Sequence, residues 1–103
     1  MARQFGSKSD GGQFDETIVA EVWAKATRIH GETDYGLRKD TCGANIHKTK
    51  YGQTINQGWE IDHIVPVSKG GTDNLINLQP LQWENNRKKG DASPGQWTCK
   101  VKS

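Results

Sequence analysis

Long apolar runs are absent from this 103-residue chain, and apolar residues make up only 32% of it. No stretch approaches the roughly 20 residues that cross a bilayer. The first residues, MARQFGSKSDGG, lack the apolar centre of a secretory leader. A soluble, cytoplasmic protein with no membrane partner is therefore expected. Cysteine is scarce too, since Cys42 and Cys99 are too few for a disulfide scaffold. A bridge between them is geometrically possible, but free thiols in a reducing cytosol are the default. Charge of one sign is also missing: 14 basic residues stand against 12 acidic ones. Bulk electrostatics alone does not mark a nucleic-acid binder. No internal repeat is visible.

The length suits one domain and is too short for two. With a mean hydropathy of −0.86 the core must be modest, and four tryptophans supply part of its bulk. Residues 1–13 are polar and Gly/Ser-rich and read as a flexible tail. Phe14, Ile18, Val19, Val22, Trp23 and Ala26 then recur at helical spacing, which predicts an amphipathic helix over 15–29 with Asp15 as N-cap and Gly31 as stop. Residues 31–57 read as a loop-rich connector with one short hairpin around Ala44–Tyr51. GWEIDHIVPV (58–67) is a strand broken by Pro66, SKGGTD (68–73) a turn-forming loop, NLQPL (77–81) a second strand, and QWENNRKKG (82–90) a short helix stopped by Gly90. QWTCKV (96–101) reads as a final strand. Basic residues gather at Arg38/Lys39, Lys48/Lys50, Arg87–Lys89 and Lys100/Lys102, patches that can meet phosphate despite the small net charge.

Between Trp59 and Asp91 four features follow one another: the Asp62-His63-Ile64-x-Pro66 run, the Gly70-Gly71-x-Asp73 loop, the Asn77-Leu78-Gln79-x-Leu81 strand, and Asn86-x-x-Lys89 on the helix. In this order and spacing they resemble the ββα-metal finger of HNH endonucleases, over about a third of the chain. The resemblance implies an α+β fold: a small single domain, 14–103, with a ββα-metal (His-Me finger) core at 58–91 and an N-terminal helix. By position, His63 resembles the general base, Asp62 and Asn86 the metal ligands, and Asn77 the asparagine that braces the loop around the base. Lys88 and Lys89 would lie beside the phosphate, with Arg87 and Lys69 completing the nucleic-acid contacts. Asn85 competes with Asn86 for the ligand role, but the family pattern has cysteine at that position. Arg87 could instead pair with Glu84 one helical turn away. His30 and His47 have no partners at motif spacing and read as surface residues.

The residue types suit phosphodiester hydrolysis. The attacking water must lose a proton near neutral pH, where imidazole is a suitable base. Charge gathers on the phosphate and on the leaving 3′-oxygen, and a divalent cation touching both stabilises it. Hard cations prefer oxygen ligands such as a carboxylate and a carboxamide, so the expected cofactor is one Mg²⁺, with Mn²⁺ or another transition metal as alternatives. The expected partner is nucleic acid, namely double-stranded DNA. Neighbouring strand residues point to opposite faces, so Asp62 and His63 can share a site only through a bulge or at the strand's end.

One departure from the family stands out. Many members hold a structural zinc with two Cys-x-x-Cys pairs, whereas Gln82 and Asn85 occupy the second pair's positions and Cys42 can mimic only half of the first. Structural zinc is therefore not expected, and the N-terminal helix with Trp23, Trp59, Trp83 and Trp97 is the candidate replacement. Two rival readings are a catalytically silent nucleic-acid-binding module and a toxin-type nuclease with an immunity partner.

Overall fold

Asp15 starts the first helix as its sequence position suggests, with Oδ1 accepting from the Ile18 N–H at 2.9 Å. In the computed structural model, which describes residues 4–103, helix α1 spans Glu16–Trp23 and so ends well short of residue 29. The Lys25 and Ala26 amides turn back to the carbonyls of Val22 and Trp23, three residues behind, a tightening that closes helices. Thr27–Arg28 then leaves as strand β1. Gly31, with φ +78, belongs to the turn after β1 rather than to the helix end.

β1 joins β2 (Leu37–Lys39) and β3 (Asn45–His47) in an antiparallel sheet of order β1-β2-β3. The hairpin lies earlier in the chain than Ala44–Tyr51 because Asp40 nucleates its turn, accepting from the Cys42 and Ala44 amides at 2.9 Å each. β4 (Trp59–His63) pairs with β5 (Leu78–Gln82), in register from Trp59↔Gln82 to His63↔Leu78. Helix α2 (Trp83–Lys89) follows directly, capped by the Gln82 side chain and ended by Gly90. This β4–β5–α2 unit is the expected ββα element within a small α+β domain. No helix among the described residues is long and apolar enough to cross a membrane.

The core gathers Val22, Trp23, Ile46, Trp59, Ile61 and Leu78 from both sheets and α1. Each large apolar side chain fully buried there contributes about 1.5–3 kcal/mol. Trp23 and Trp59 pack with centroids 5.3 Å apart. Trp83 and Trp97, half-buried, stand outside this cluster. His47 is also largely covered, bonded to Asp34 (3.2 Å) and Thr49 (2.8 Å), rather than free on the surface.

The two termini differ most from expectation. Residues 96–101 form no strand; Cys99 is bonded to Cys42 in a disulfide that ties this segment to the β2–β3 turn. Neither cysteine is a free thiol, so the thiol argument for a cytoplasmic protein falls away, and Cys42 cannot serve as half of a metal-binding pair. Of the segment read as a tail, residues 1–3 lie outside the described residues. Residues 4–13 lie against the ββα unit, with Lys8–Gly12 folded into a turn by the Lys8 N–H to Gly12 carbonyl bond (2.8 Å) and the Gly11 N–H to Lys8 carbonyl bond (2.9 Å).

Candidate functional site

β4 contains no bulge, and its regular pairing stops at His63. Asp62 lies with Glu60 on the face covered by α2, while the His63 ring lies on the other face, 6.0 Å from the Phe14 ring. Because the strand ends there, both side chains border one groove of about 260 Å³, together with Asn86 and with Gln4, Phe5 and Gly6 from the N-terminal segment. The end of the strand, not a distortion within it, brings the pair together.

Asn86 is almost fully buried, and its Nδ2 donates to Glu60 Oε1 at 2.9 Å. A carboxylate only accepts, so Glu60 fixes which end of the carboxamide faces it. Asn86 Oδ1 is left with no hydrogen-bond partner among the described residues. The other Glu60 oxygen takes Arg87 at 3.2 Å. Arg87 therefore pairs with Glu60, while Glu84 pairs with Lys100 at 3.3 Å. Sequence reading missed Glu60, although strand alternation places it beside Asp62.

His63 is buried and its Nε2 lies 2.8 Å from Asp73 Oδ1. Burial alone would raise the Asp73 pKa, but hydrogen bonds from Ser9 and His63 outweigh it and hold the carboxyl below its ordinary value. An ionised carboxylate requires Nε2 to donate, so the neutral imidazole keeps its lone pair on Nδ1. Asp73 belongs to the Gly-Gly-x-Asp motif, yet nothing in the sequence pairs it with His63. The loop makes the pairing possible. Gly70 adopts φ +90, and a Cβ on Gly71 would lie 1.7 Å from the Val65 carbonyl oxygen, so the chain turns back tightly there. Asn77 ties the same loop down, accepting from the Val65 N–H (2.9 Å) and donating to the carbonyls of Val65 (3.1 Å) and Thr72 (2.9 Å).

Asp62 is also enclosed, with Gln79 Nε2 donating to Oδ2 at 2.9 Å and Lys89 Nζ 3.1 Å from Oδ1. Desolvation raises its pKa, opposed by Gln79, Lys89 and His63. Lys89 is fully buried and also donates to the His63 carbonyl at 2.9 Å. It braces Asp62 from inside rather than lying beside a phosphate as the sequence suggested. Lys69 and Lys88 are exposed, reaching Ser93 (3.3 Å) and the Thr98 carbonyl (3.2 Å). Arg87 is partly exposed between the Phe5 and Trp83 rings, 5.0 and 5.5 Å away.

No group of three or more His, Cys, Asp or Glu able to hold a metal occurs among the described residues. The groove instead offers the Asp62 carboxylate and the Asn86 carboxamide oxygen, with Asp91 also on its lining. Each Asp62 oxygen has a spare lone pair beyond its single bond, so this donor set fits a hard divalent cation that keeps most of its waters.

On another side of α2, Gln82 and Asn85, at the positions of the family's second cysteine pair, join Asp40 and the C-terminal segment in a closed network. Asp40 Oδ2 accepts from the Gln82 N–H (2.9 Å) and Asn85 Nδ2 (3.1 Å). Asn85 Nδ2 also reaches the Val101 carbonyl (2.9 Å), and its Oδ1 accepts from the Lys100 and Val101 amides (2.8 Å each). Asn85 has no capacity left for a cation. The cross-link therefore comes from Asp40, Asn85 and the disulfide, with the Trp23–Trp59 pair serving the core elsewhere.

A ββα unit with Asp-His at the end of its first strand and Asn on its helix defines a nuclease-type centre. The family model for HNH endonuclease matches residues 40–92, more than half of the chain, and the chain belongs to that family. Nuclease-type activity on nucleic acid comes with this membership, and such nucleases typically use a divalent metal. Neither a curated protein nor a solved structure matches the chain significantly.

Proposed function

We propose that the protein is an endonuclease that hydrolyses phosphodiester bonds of double-stranded DNA, with His63 as general base and one divalent cation, Mg²⁺ by preference, held by Asp62 and Asn86. The observation that carries this reading is the groove bordered by Asp62, His63 and Asn86, in which Asn86 Oδ1 and His63 Nδ1 have no hydrogen-bond partner among the described residues while Asn86 Nδ2 and His63 Nε2 are fixed. A cation held by Asp62 and Asn86 would supply positive charge that offsets the negative charge gathering on the reacting phosphate. His63 Nδ1 takes a proton from water as the water oxygen bonds to phosphorus. The bond from phosphorus to the 3′-oxygen breaks, and that oxygen leaves to be protonated. Asp73 stabilises the imidazolium formed in this step. Asn77 keeps the loop in place around the base.

Lys69, Lys88 and Arg87 are the groups for backbone contact; Lys89 is spent on Asp62. Lys69 and Lys88 are exposed and suit attachment through the phosphate backbone. The test is incubation with supercoiled DNA, linear DNA and RNA across a series of divalent cations, for the parent protein and Asp62→Ala. Cation-dependent cutting of duplex DNA, lost in the variant, is expected. Cutting that ignores chelator, or that Asp62→Ala retains, contradicts the proposal.

A further inference from the structure

The N-terminal segment lies outside the residues that match the family, yet it reaches the catalytic groove. Phe5 packs on Arg87 with 5.0 Å from guanidinium to ring, a Cβ on Gly6 would touch the Glu60 side chain at 3.3 Å, and Phe14 faces the His63 ring. Ser9 lies between these contacts and is clamped onto Asp73. Its N–H is 2.9 Å from Oδ1 and 3.2 Å from Oδ2, and its hydroxyl donates to Oδ2 at 2.6 Å. The same Oδ1 receives His63 Nε2 at 2.8 Å. The Asp73 side chain is 28% exposed, so without the clamp water could compete and the carboxylate could rotate away from the ring. With both oxygens gripped, its plane is set by Ser9. The grip itself is held by the Lys8–Gly12 turn, in which the Gly12 N–H also bonds Asp10 at 2.8 Å.

We propose that Ser9 is a positioning residue for the hydrolytic reaction: it fixes Asp73 so that Asp73 holds His63 with its proton on Nε2 and its lone pair on Nδ1. This rests on His63 being the general base. The N-terminal segment is then a working part of the centre, neither a loose tail nor a cover that must be displaced. A short hydroxyl-to-carboxylate bond is among the stronger neutral-to-charged hydrogen bonds. Losing it while the Ser9 N–H remains should blunt the reaction rather than abolish it.

The test uses the full chain with Ser9→Ala, Ser9→Thr and Asp73→Asn, each checked for folding by thermal melting. Ser9→Ala should lower kcat about tenfold with KM little changed, and Ser9→Thr, which keeps the hydroxyl, should restore it. Asp73→Asn should cost more, because a carboxamide can present either end to the ring and no longer dictates the tautomer. Nitrogen-15 shifts of the neutral His63 ring should report the Nε2–H form in the parent and a mixture in Ser9→Ala. Unchanged kcat and ring shifts in Ser9→Ala overturn the proposal, and a raised kcat overturns it in favour of a covering role. A parent protein that cuts nothing contradicts the nuclease reading instead, and the ring shifts still decide whether Ser9 sets the tautomer.

Discussion

Two adjacent asparagines on α2 belong to opposite regions of the molecule, and the contrast separates framework from function. Asn85 faces the Asp40 network with both donors and both acceptor positions used, tying the β2–β3 turn and the C-terminal segment to the helix. Asn86 faces the groove with its amino end fixed by Glu60 and its oxygen unpaired among the described residues. Both are buried, where an unmade polar contact costs free energy. A saturated network returns stability for that burial. A fixed amide whose oxygen borders the groove presents a pre-aimed acceptor there, and pre-aimed donors and acceptors are what a reaction centre requires.

The contrast breaks most visibly at Asn86. Asn86→Ala should weaken cation binding and reduce cleavage by at least about a hundredfold, while lowering stability by only about 1–2 kcal/mol for the bond lost to Glu60. Asn85→Ala should do the reverse. It leaves the Lys100 and Val101 amides and the Val101 carbonyl short of a partner and removes one of the two bonds to Asp40 Oδ2, at about 3–5 kcal/mol, with cleavage per folded molecule unchanged. Chemical denaturation, calorimetric titration with Mg²⁺ and a cleavage assay on both variants check this. Equal loss of activity in the two would erase the distinction.

Reducing the Cys42–Cys99 disulfide sharpens the same comparison with a smaller effect. It should lower stability by about 2–4 kcal/mol and leave the metal affinity of the folded protein intact, as read by melting with and without reductant and by titration. The smallest effect concerns Asp73. Its folded pKa lies below the ordinary carboxyl value, so its contribution to stability is fully present above about pH 4 and is lost as pH falls through the folded pKa. Asp73→Asn should therefore melt below the parent near about pH 6 and converge on it near about pH 2–3. A gap that persists in acid would mean that packing, not charge, stabilises this contact.

What the sequence revealed followed from local patterns. Strand-forming and turn residues located β5 and α2 within a residue and the start of β4, which ends at His63 rather than reaching 67, and the motif spacing singled out Asp62, His63, Asn77 and Asn86. The illegible parts depend on distant contacts. Glu60 aims Asn86 across 26 positions, Asp73 reaches His63 only after the Gly70-Gly71 turn, and Ser9 arrives from 64 residues away. Lys89 was placed beside the phosphate by its position in the family motif, and only packing shows it buried against Asp62. The helix over 15–29 was overestimated because buried Ala26 keeps the helical period while the backbone has already turned. Cys42 and Cys99, 57 residues apart, gave no local sign of pairing.

The most direct test of the reaction centre is the cleavage rate of His63→Ala in saturating divalent cation, measured beside its melting curve. The ring is buried against Phe14 and bonded to Asp73, so the variant should melt lower than the parent yet remain folded at assay temperature. Cleavage should fall by roughly two to four orders of magnitude, the usual worth of a positioned base, and added cation should not restore it. Near-parental cleavage by the folded variant would contradict the account, and so would recovery at high cation concentration.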